Sequence, residues 1–212
     1  MSYKQDFLDL AIKDQALKFG DYTLKSGRKS PYFFNAAAFS SGSSLAVLGR
    51  CYAQALVAST QPVDMLFGAA YKGIPLVTAT AIALSELQNT PVPFGFNRKE
   101  AKAHGEGGQL VGPEPSGSLV IVDDLITAGT AIREVIDLLD RNNISQLSVL
   151  IGLDRMERGQ GQESAIRELE QQYDLRVISI ASLDDVMHFA KDVAGEQVQQ
   201  QIAEYRKTYA AN

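Results

Sequence analysis

The chain has one cysteine and two histidines in 212 residues. With Cys51 alone an intramolecular disulfide is excluded, and no Cys/His grouping has the spacing of zinc ligands. Cys51 lies beside Leu48 and Tyr52 on a helical stripe and reads as a small buried hydrophobe. Long Lys/Arg runs are also missing, and the formal charge is −5, which argues against nonspecific nucleic-acid binding, since that depends on clustered cations. No stretch approaches the ~20 apolar residues of a membrane span, and residues 1–12 carry charges through their apolar pattern with no signal-peptide core. A cytoplasmic protein with no membrane and no nucleic-acid partner is the expectation. What is present is ordinary: 45% hydrophobic and 21% charged residues, which points away from disorder and coiled coil. This length suits a single α/β domain over residues 1–212, burying roughly 70% of its unfolded surface, with residues 1–40 as a small appendage.

Apolar spacing predicts a helix from Lys4 to Phe19, closed by Gly20. Tyr22, Leu24 and then Tyr32, Phe33 and Phe34 flank the polar stretch SGRKSP and predict two short strands around a turn. A helix face through Leu45, Leu48, Tyr52, Ala55 and Leu56 precedes a short strand from Asp64 to Phe67. The loop Gly68 to Gly73 then opens a helix with Pro75 in its first turn, running to Leu87. Pro93 to Asn97 reads as a strand, whereas Arg98 to Pro115, with Gly105, Gly107, Gly108 and Gly112, predicts a mobile loop with a charged tip. Leu119 to Val122 is a continuous apolar run of the kind buried on both sheet faces, followed by a helix with Ile132, Val135, Ile136 and Leu139 on one side. A strand from Leu147 to Leu153, a helix from Ser164 to Tyr173 and a strand from Leu175 to Ile180 repeat the alternation. Ser182 with Asp185 forms a capping-box pattern, and Val198, Ile202, Tyr205 and Tyr209 share a stripe on a C-terminal helix. The whole predicts an α/β fold, a mainly parallel sheet with helices on both faces, plus an N-terminal hood of short antiparallel strands. Ligands would sit at the carboxyl ends of the parallel strands.

The segment VIVDDLITAGTA, Val120 to Ala131, carries the most chemistry. Asp123 and Asp124 follow a buried strand where it should meet solvent. Adjacent like charges are unfavourable unless used, and a sugar diol or a metal-bound hydroxyl can use them. Thr127, Ala128, Gly129 and Thr130 then open a helix, where unpaired N–H groups, two hydroxyls and about half a unit of positive dipole charge converge into an anion cradle. The spacing suits a ribose phosphate: acids for the ring hydroxyls, helix N-terminus for the 5-phosphate. The plain alternative is a capped helix with two exposed acids.

Three further segments read in the same way. In LKSGRKSPYFFN, Leu24 to Asn35, Phe33 and Phe34 beside Lys25 suit a planar anionic base, although they would also serve as the core side of a short strand. GAAYKGIP, from Gly68, presents N–H groups and the Lys72 ammonium to a diphosphate. FNRKEAKAHGEGG, from Phe96, sets Arg98, Lys99, Lys102 and His104 against Glu100 and Glu106; a solvated charged loop is the default, and its glycines favour a lid. Arg155, just past Leu153, is either a bidentate carboxylate fork or a surface arginine. His188 is assigned no role.

VIVDDLITAGTA resembles the signature of the type I phosphoribosyltransferases, which bind 5-phosphoribosyl 1-diphosphate (PRPP) with magnesium. The other segments are similar to the orotate branch of that family, so the resemblance extends from Lys25 to Arg155. It implies that Lys25, Tyr71, Lys72, Arg98, Lys99, Lys102 and His104 bind PRPP, together with the run Asp123, Asp124, Leu125, Ile126, Thr127, Ala128, Gly129, Thr130 and Ala131. Orotate would meet Phe33, Phe34, Thr127 and Arg155. Also implied are a cis peptide at Ala70-Tyr71, Mg2+ held mainly through PRPP and water, and a homodimer in which the 98–115 loop closes over a neighbour's diphosphate. The implied reaction, in pyrimidine biosynthesis, joins orotate N1 to the ribose C1 with inversion, giving orotidine 5′-monophosphate and diphosphate. Lys102 and His104 are the catalytic candidates, and no strong general base is needed because orotate is already anionic. Two alternatives share the phosphate site. A purine phosphoribosyltransferase would have no use for Arg155 and the aromatic hairpin, and a PRPP-sensing regulator would usually carry a basic DNA-binding extension.

Overall fold

The computed structural model describes residues 2–24, 27–102, 108–158 and 163–211, apart from the side chains at 101 and 102. Helix α1 (Tyr3–Lys13) starts where the Ser2 side chain accepts the Gln5 N–H, and it ends at Asp14. The predicted continuation to Phe19 does not occur. Gln15 takes a left-handed φ of 58° and the chain turns into strand β1 (Leu17–Thr23), with Gly20 inside it. Pairing decides the outcome: β1 lies antiparallel to β2 (Lys29–Phe34), with Leu17 opposite Phe34 and Phe19 opposite Tyr32, and this tertiary ladder overrides local helical spacing. The two strands form the expected N-terminal hood.

Helix α2 (Gly42–Ser59) leads to β3 (Met65–Gly68), α3 (Gly73–Gln88), β4 (Phe94–Lys102), β5 (Gly108–Val111) and β6 (Gly117–Leu125). Then come α4 (Thr130–Leu138), β7 (Ile144–Asp154), α5 (Ala165–Tyr173), β8 (Arg176–Ser182), α6 (Leu183–Ala194) and α7 (Glu196–Tyr209). The Ser182/Asp185 capping box is formed as expected. The main sheet has the order β5-β4-β3-β6-β7-β8 and is parallel except for β5. The expected 98–115 loop is in part regular structure, because residues 98–102 extend β4 and β5 returns antiparallel with Phe96 opposite Val111. This return pairs backbone groups that β4 would otherwise leave open at the sheet edge.

Strand β6 shows why the sheet is covered on both sides. Leu119, Val120, Ile121 and Val122 are each 0% exposed, and full burial of four such side chains stabilises the fold by roughly 6–12 kcal/mol as an upper estimate. Leu119 and Ile121 pack with Ile132, Val135 and Ile136 of α4 and Leu169 of α5. Val120 and Val122 pack on the opposite face, with Tyr52 of α2, Val77 of α3 and Val186 of α6. Chain direction reverses between β3 and β6: β3 leads through α3 outward to β4, and β6 leads through α4 to β7 on the other side. The crevice at their carboxyl ends is the topological switch point where open α/β sheets bind ligands.

Candidate active site

The two acids lie deeper than their sequence position suggests. Strand β6 runs on to Leu125, pairing Asp123 with Ile151 of β7, so Asp123 and Asp124 are buried rather than standing at the solvent boundary. Asp123 accepts the Asp124 N–H at 2.8 Å, and Lys72 donates to Asp124 Oδ2 at 2.7 Å. Burial, reinforced by the Asp124 charge, pushes the Asp123 carboxyl up to about 7. Beneath them Tyr52, fully buried, donates its hydroxyl to the Asp123 carbonyl at 3.0 Å and fixes the strand end from α2.

Two helix N-termini open into this crevice. After β6, Thr127, Ala128 and Thr130 are exposed, while Ile126 turns into the core. Gly129 precedes α4 with a φ of 73°, in the left-handed region that glycine tolerates, and a Cβ there would sit 3.0 Å from Leu169. After β3, the loop through Ala70, Tyr71 and Lys72 leads into α3, and the Ala70-Tyr71 peptide is cis, as the resemblance implied. The buried amide of Asn97 accepts the Ala70 N–H at 2.8 Å. Among the described residues neither α3 nor α4 has a side-chain cap, but the Gly73 and Ile74 N–H groups at the start of α3 already donate to the Ala69 and Tyr71 carbonyls at 2.8 and 3.3 Å, so it is the start of α4 that keeps its donors for an anion.

A cleft of about 1020 Å³ joins these parts to the hood. Lys72, Leu125, Ile126, Thr127, Ala128 and Thr130 line one end, and Phe33, Phe34, Arg28, Arg155 and Glu157 line the other. Of the three consecutive aromatics in β2 it is Tyr32 that enters the core, at 0% exposure. Phe33 is 39% exposed and stacks near Tyr22, whereas Phe34 packs partly on the core while still facing the cleft. Arg155 leaves the carboxyl end of β7 and is not a free surface arginine. It pairs with Glu157 at 2.6 Å, donates from Nε to the Tyr32 hydroxyl at 3.3 Å and lies over the Tyr32 ring.

Of the expected site residues, Phe33, Phe34, Thr127 and Arg155 therefore converge, as do Lys72, Asp124 and the Thr127–Thr130 turn. Tyr71 is exposed and carries the Lys99 ammonium over its ring at 5.8 Å, near the cleft but outside its lining. Arg98 is half-buried in β4 and does not line the cleft, and Ala131 packs against the α4 side of the core. Lys25 and His104 lie outside the described residues, as does the side chain of Lys102, whose backbone pairs with Gly108. His188 caps its own helix turn, its Nδ1 2.7 Å from the Asp184 carbonyl. Sequence reasoning missed Tyr52, Asn97, Arg28 and Glu157. Only Asn97 left a local sign, a polar side chain closing an apolar strand run.

A phosphoribosyl transferase domain matches residues 44–194, spanning every main-sheet strand and the cleft's phosphate end. Fold and site are thus those of a phosphoribosyltransferase. The orotate phosphoribosyltransferase of Saccharophagus degradans is 52% identical over 208 residues, 98% of each chain. That of Shigella flexneri is 54% identical over 191 residues, 90% of each. The crystal structure of the Francisella tularensis orotate phosphoribosyltransferase matches with a TM-score of 0.86 at 37% identity, covering 96% of this chain and 98% of that one. This chain belongs to the orotate phosphoribosyltransferases.

Proposed function

We propose how this chain performs its family's reaction, the transfer of the phosphoribosyl group of PRPP to orotate, giving orotidine 5′-monophosphate and diphosphate in pyrimidine biosynthesis. The observation that carries the reading is the single cleft joining an aromatic, arginine-bearing end to a phosphate-binding end. The 5-phosphate sits on the uncapped N-terminus of α4, against the Thr127 and Thr130 hydroxyls and the Ala128 and Gly129 backbone. Asp123 and Asp124 accept the ribose hydroxyls, and Lys72 with the Ala70-Tyr71 loop meets the diphosphate. At the other end Phe33 and Phe34 cover the orotate ring while Arg155 takes its carboxylate, which selects orotate over uncharged bases.

The transition state is oxocarbenium-like, so the protein's task is to neutralise departing diphosphate. At ~4 Å and an effective dielectric near 20 each cation is worth about 4 kcal/mol before desolvation. Lys72, Lys99 and Lys102 supply that charge, with Lys102 and His104 as the catalytic groups on a loop that closes over the diphosphate of a neighbouring subunit in a homodimer. Closing that loop also keeps water from the reacting carbon.

Magnesium is the expected cofactor. Among the described residues no group of three or more His, Cys, Asp or Glu could hold a metal ion, but the Asp123/Asp124 pair offers hard oxygen atoms at the strand end. These residues fit an ion held mostly by substrate oxygens and water, where it would add positive charge at the diphosphate. We assign the protein to the cytoplasm; no described helix is long and apolar enough to cross a membrane.

The curated relatives at 52% and 54% identity are named for orotate, which leaves the purine and regulator alternatives without support. Mixing protein, PRPP, Mg2+ and orotate and following the loss of orotate absorbance tests the reading. Turnover with a purine but not with orotate overturns it, and binding of PRPP without turnover points to a sensor.

A further inference from the structure

Arg155 is held from four sides. Asp154 Oδ1 accepts the Met156 N–H at 2.7 Å, and Met156 takes a left-handed φ of 54°, so a tight turn sets the direction in which Arg155 and Glu157 leave β7. The Tyr32 ring and hydroxyl support one side of the guanidinium. Tyr205 of α7 approaches Nη2 at 3.5 Å and meets Tyr32 edge-on. Glu157 ties these groups together: Oε1 takes Arg155 Nη2 at 2.6 Å and the Tyr205 hydroxyl at 2.6 Å, while Oε2 takes Arg28 Nη1 at 3.1 Å.

The consequence follows from the fork geometry of arginine. Nε is committed to Tyr32 and Nη2 to Glu157 and Tyr205, while Nη1 has no partner among the described residues. A guanidinium pinned in this manner keeps Nη1 as its uncommitted nitrogen, on a side chain that lines the cleft. We propose that Glu157 is a positioning residue for orotate recognition, holding Arg155 so that its remaining edge receives the orotate carboxylate.

The inference rests on the reading of Arg155 given above, and the test separates the two. Glu157→Ala frees Arg155 and is expected to raise the Michaelis constant for orotate about tenfold, with kcat at saturating orotate changed less than about twofold and the PRPP constant unmoved. Glu157→Gln retains acceptors for Arg155 and Tyr205 and is expected to stay within about threefold of the parent enzyme. Three outcomes overturn the proposal: an orotate constant unchanged or lowered in Glu157→Ala, equal impairment in both variants, or a joint loss of kcat, both Michaelis constants and thermal midpoint, which marks a merely structural role. If Arg155→Ala also leaves the orotate constant unchanged, the assignment of Arg155 fails; if Arg155→Ala raises it and the Glu157 variants do not, only the positioning role fails.

Discussion

Replacing Gly73 with alanine tests whether the fold's backbone contacts set the loop proposed to bind diphosphate. Gly73 begins α3 directly after Lys72, and a Cβ added there would sit 2.5 Å from the Val122 carbonyl oxygen and 3.1 Å from the Gly68 carbonyl carbon. Both neighbours are backbone, one in β6 and one at the end of β3, so no side chain can rotate out of the way. A relaxed contact needs about 3.5 Å or more, hence the helix start must retreat by nearly an ångström. Overpacking of this kind costs about 1–3 kcal/mol, which for a chain of this length lowers the thermal midpoint by roughly 2–12 °C. The retreat also pulls Lys72 from Asp124, whose 2.7 Å pair lies between the proposed diphosphate and ribose subsites. The PRPP Michaelis constant should therefore rise while the orotate constant changes little. Gly42→Ala is the control, since nothing lies within 4 Å of its Cβ. A Gly73→Ala enzyme with midpoint and PRPP constant equal to those of the control would refute the reasoning.

Asp123→Asn probes the buried acid. Its carboxyl moves from an ordinary 3.8 to about 7 on folding, so between those values the unfolded chain releases a proton that the native state keeps, and stability falls as pH rises through that window. Asparagine carries no such slope, and its urea midpoint should gain on the parent from pH 4 to pH 7; a constant gap would remove the shift. Lys102→Ala should lower turnover by roughly 10²–10³-fold with a much smaller effect on PRPP binding, and equal losses in stopped-flow turnover and equilibrium binding would place Lys102 in ground-state binding. Arg155→Ala should raise the orotate Michaelis constant about 10–100-fold, the worth of a charge-assisted hydrogen bond; an unchanged value takes it out of the base site.

Elements whose signals are local were legible in the sequence. The run Leu119 to Val122 is buried on both faces because parallel strands lie between helix layers, and its continuous apolar character says so without the fold. The Ser182/Asp185 capping box is equally local. The misread boundaries depend on partners elsewhere. Leu17–Phe19 carries helical spacing and instead joins the strand that runs on to Thr23, because Lys29–Phe34 is there to pair with it. Residues 98–102 and 108–111 look like loop by composition, yet the open edge of β4 turns them into a ladder. Burial of Asp123 and Asp124 was missed for the same reason, since it is the length of β7 that carries β6 past them.

The site divides along the same line. Its proposed phosphate end is built from two short strand-to-helix turns, so these residues sit in twelve consecutive positions and in GAAYKGIP. Its base end is assembled over long range: Arg155 meets Tyr32 across 123 positions, Arg28 meets Glu157 across 129, and Tyr205 reaches Glu157 across 48. None of those residues announces its partner. Arg155 alone reads equally as a surface side chain, and only the Tyr32 ring, the Asp154 turn and the Glu157 carboxylate make it a fixed fork. The proposed phosphate end is therefore legible from local segments. The proposed base end depends instead on contacts that the hood and the C-terminal helix bring together over long range.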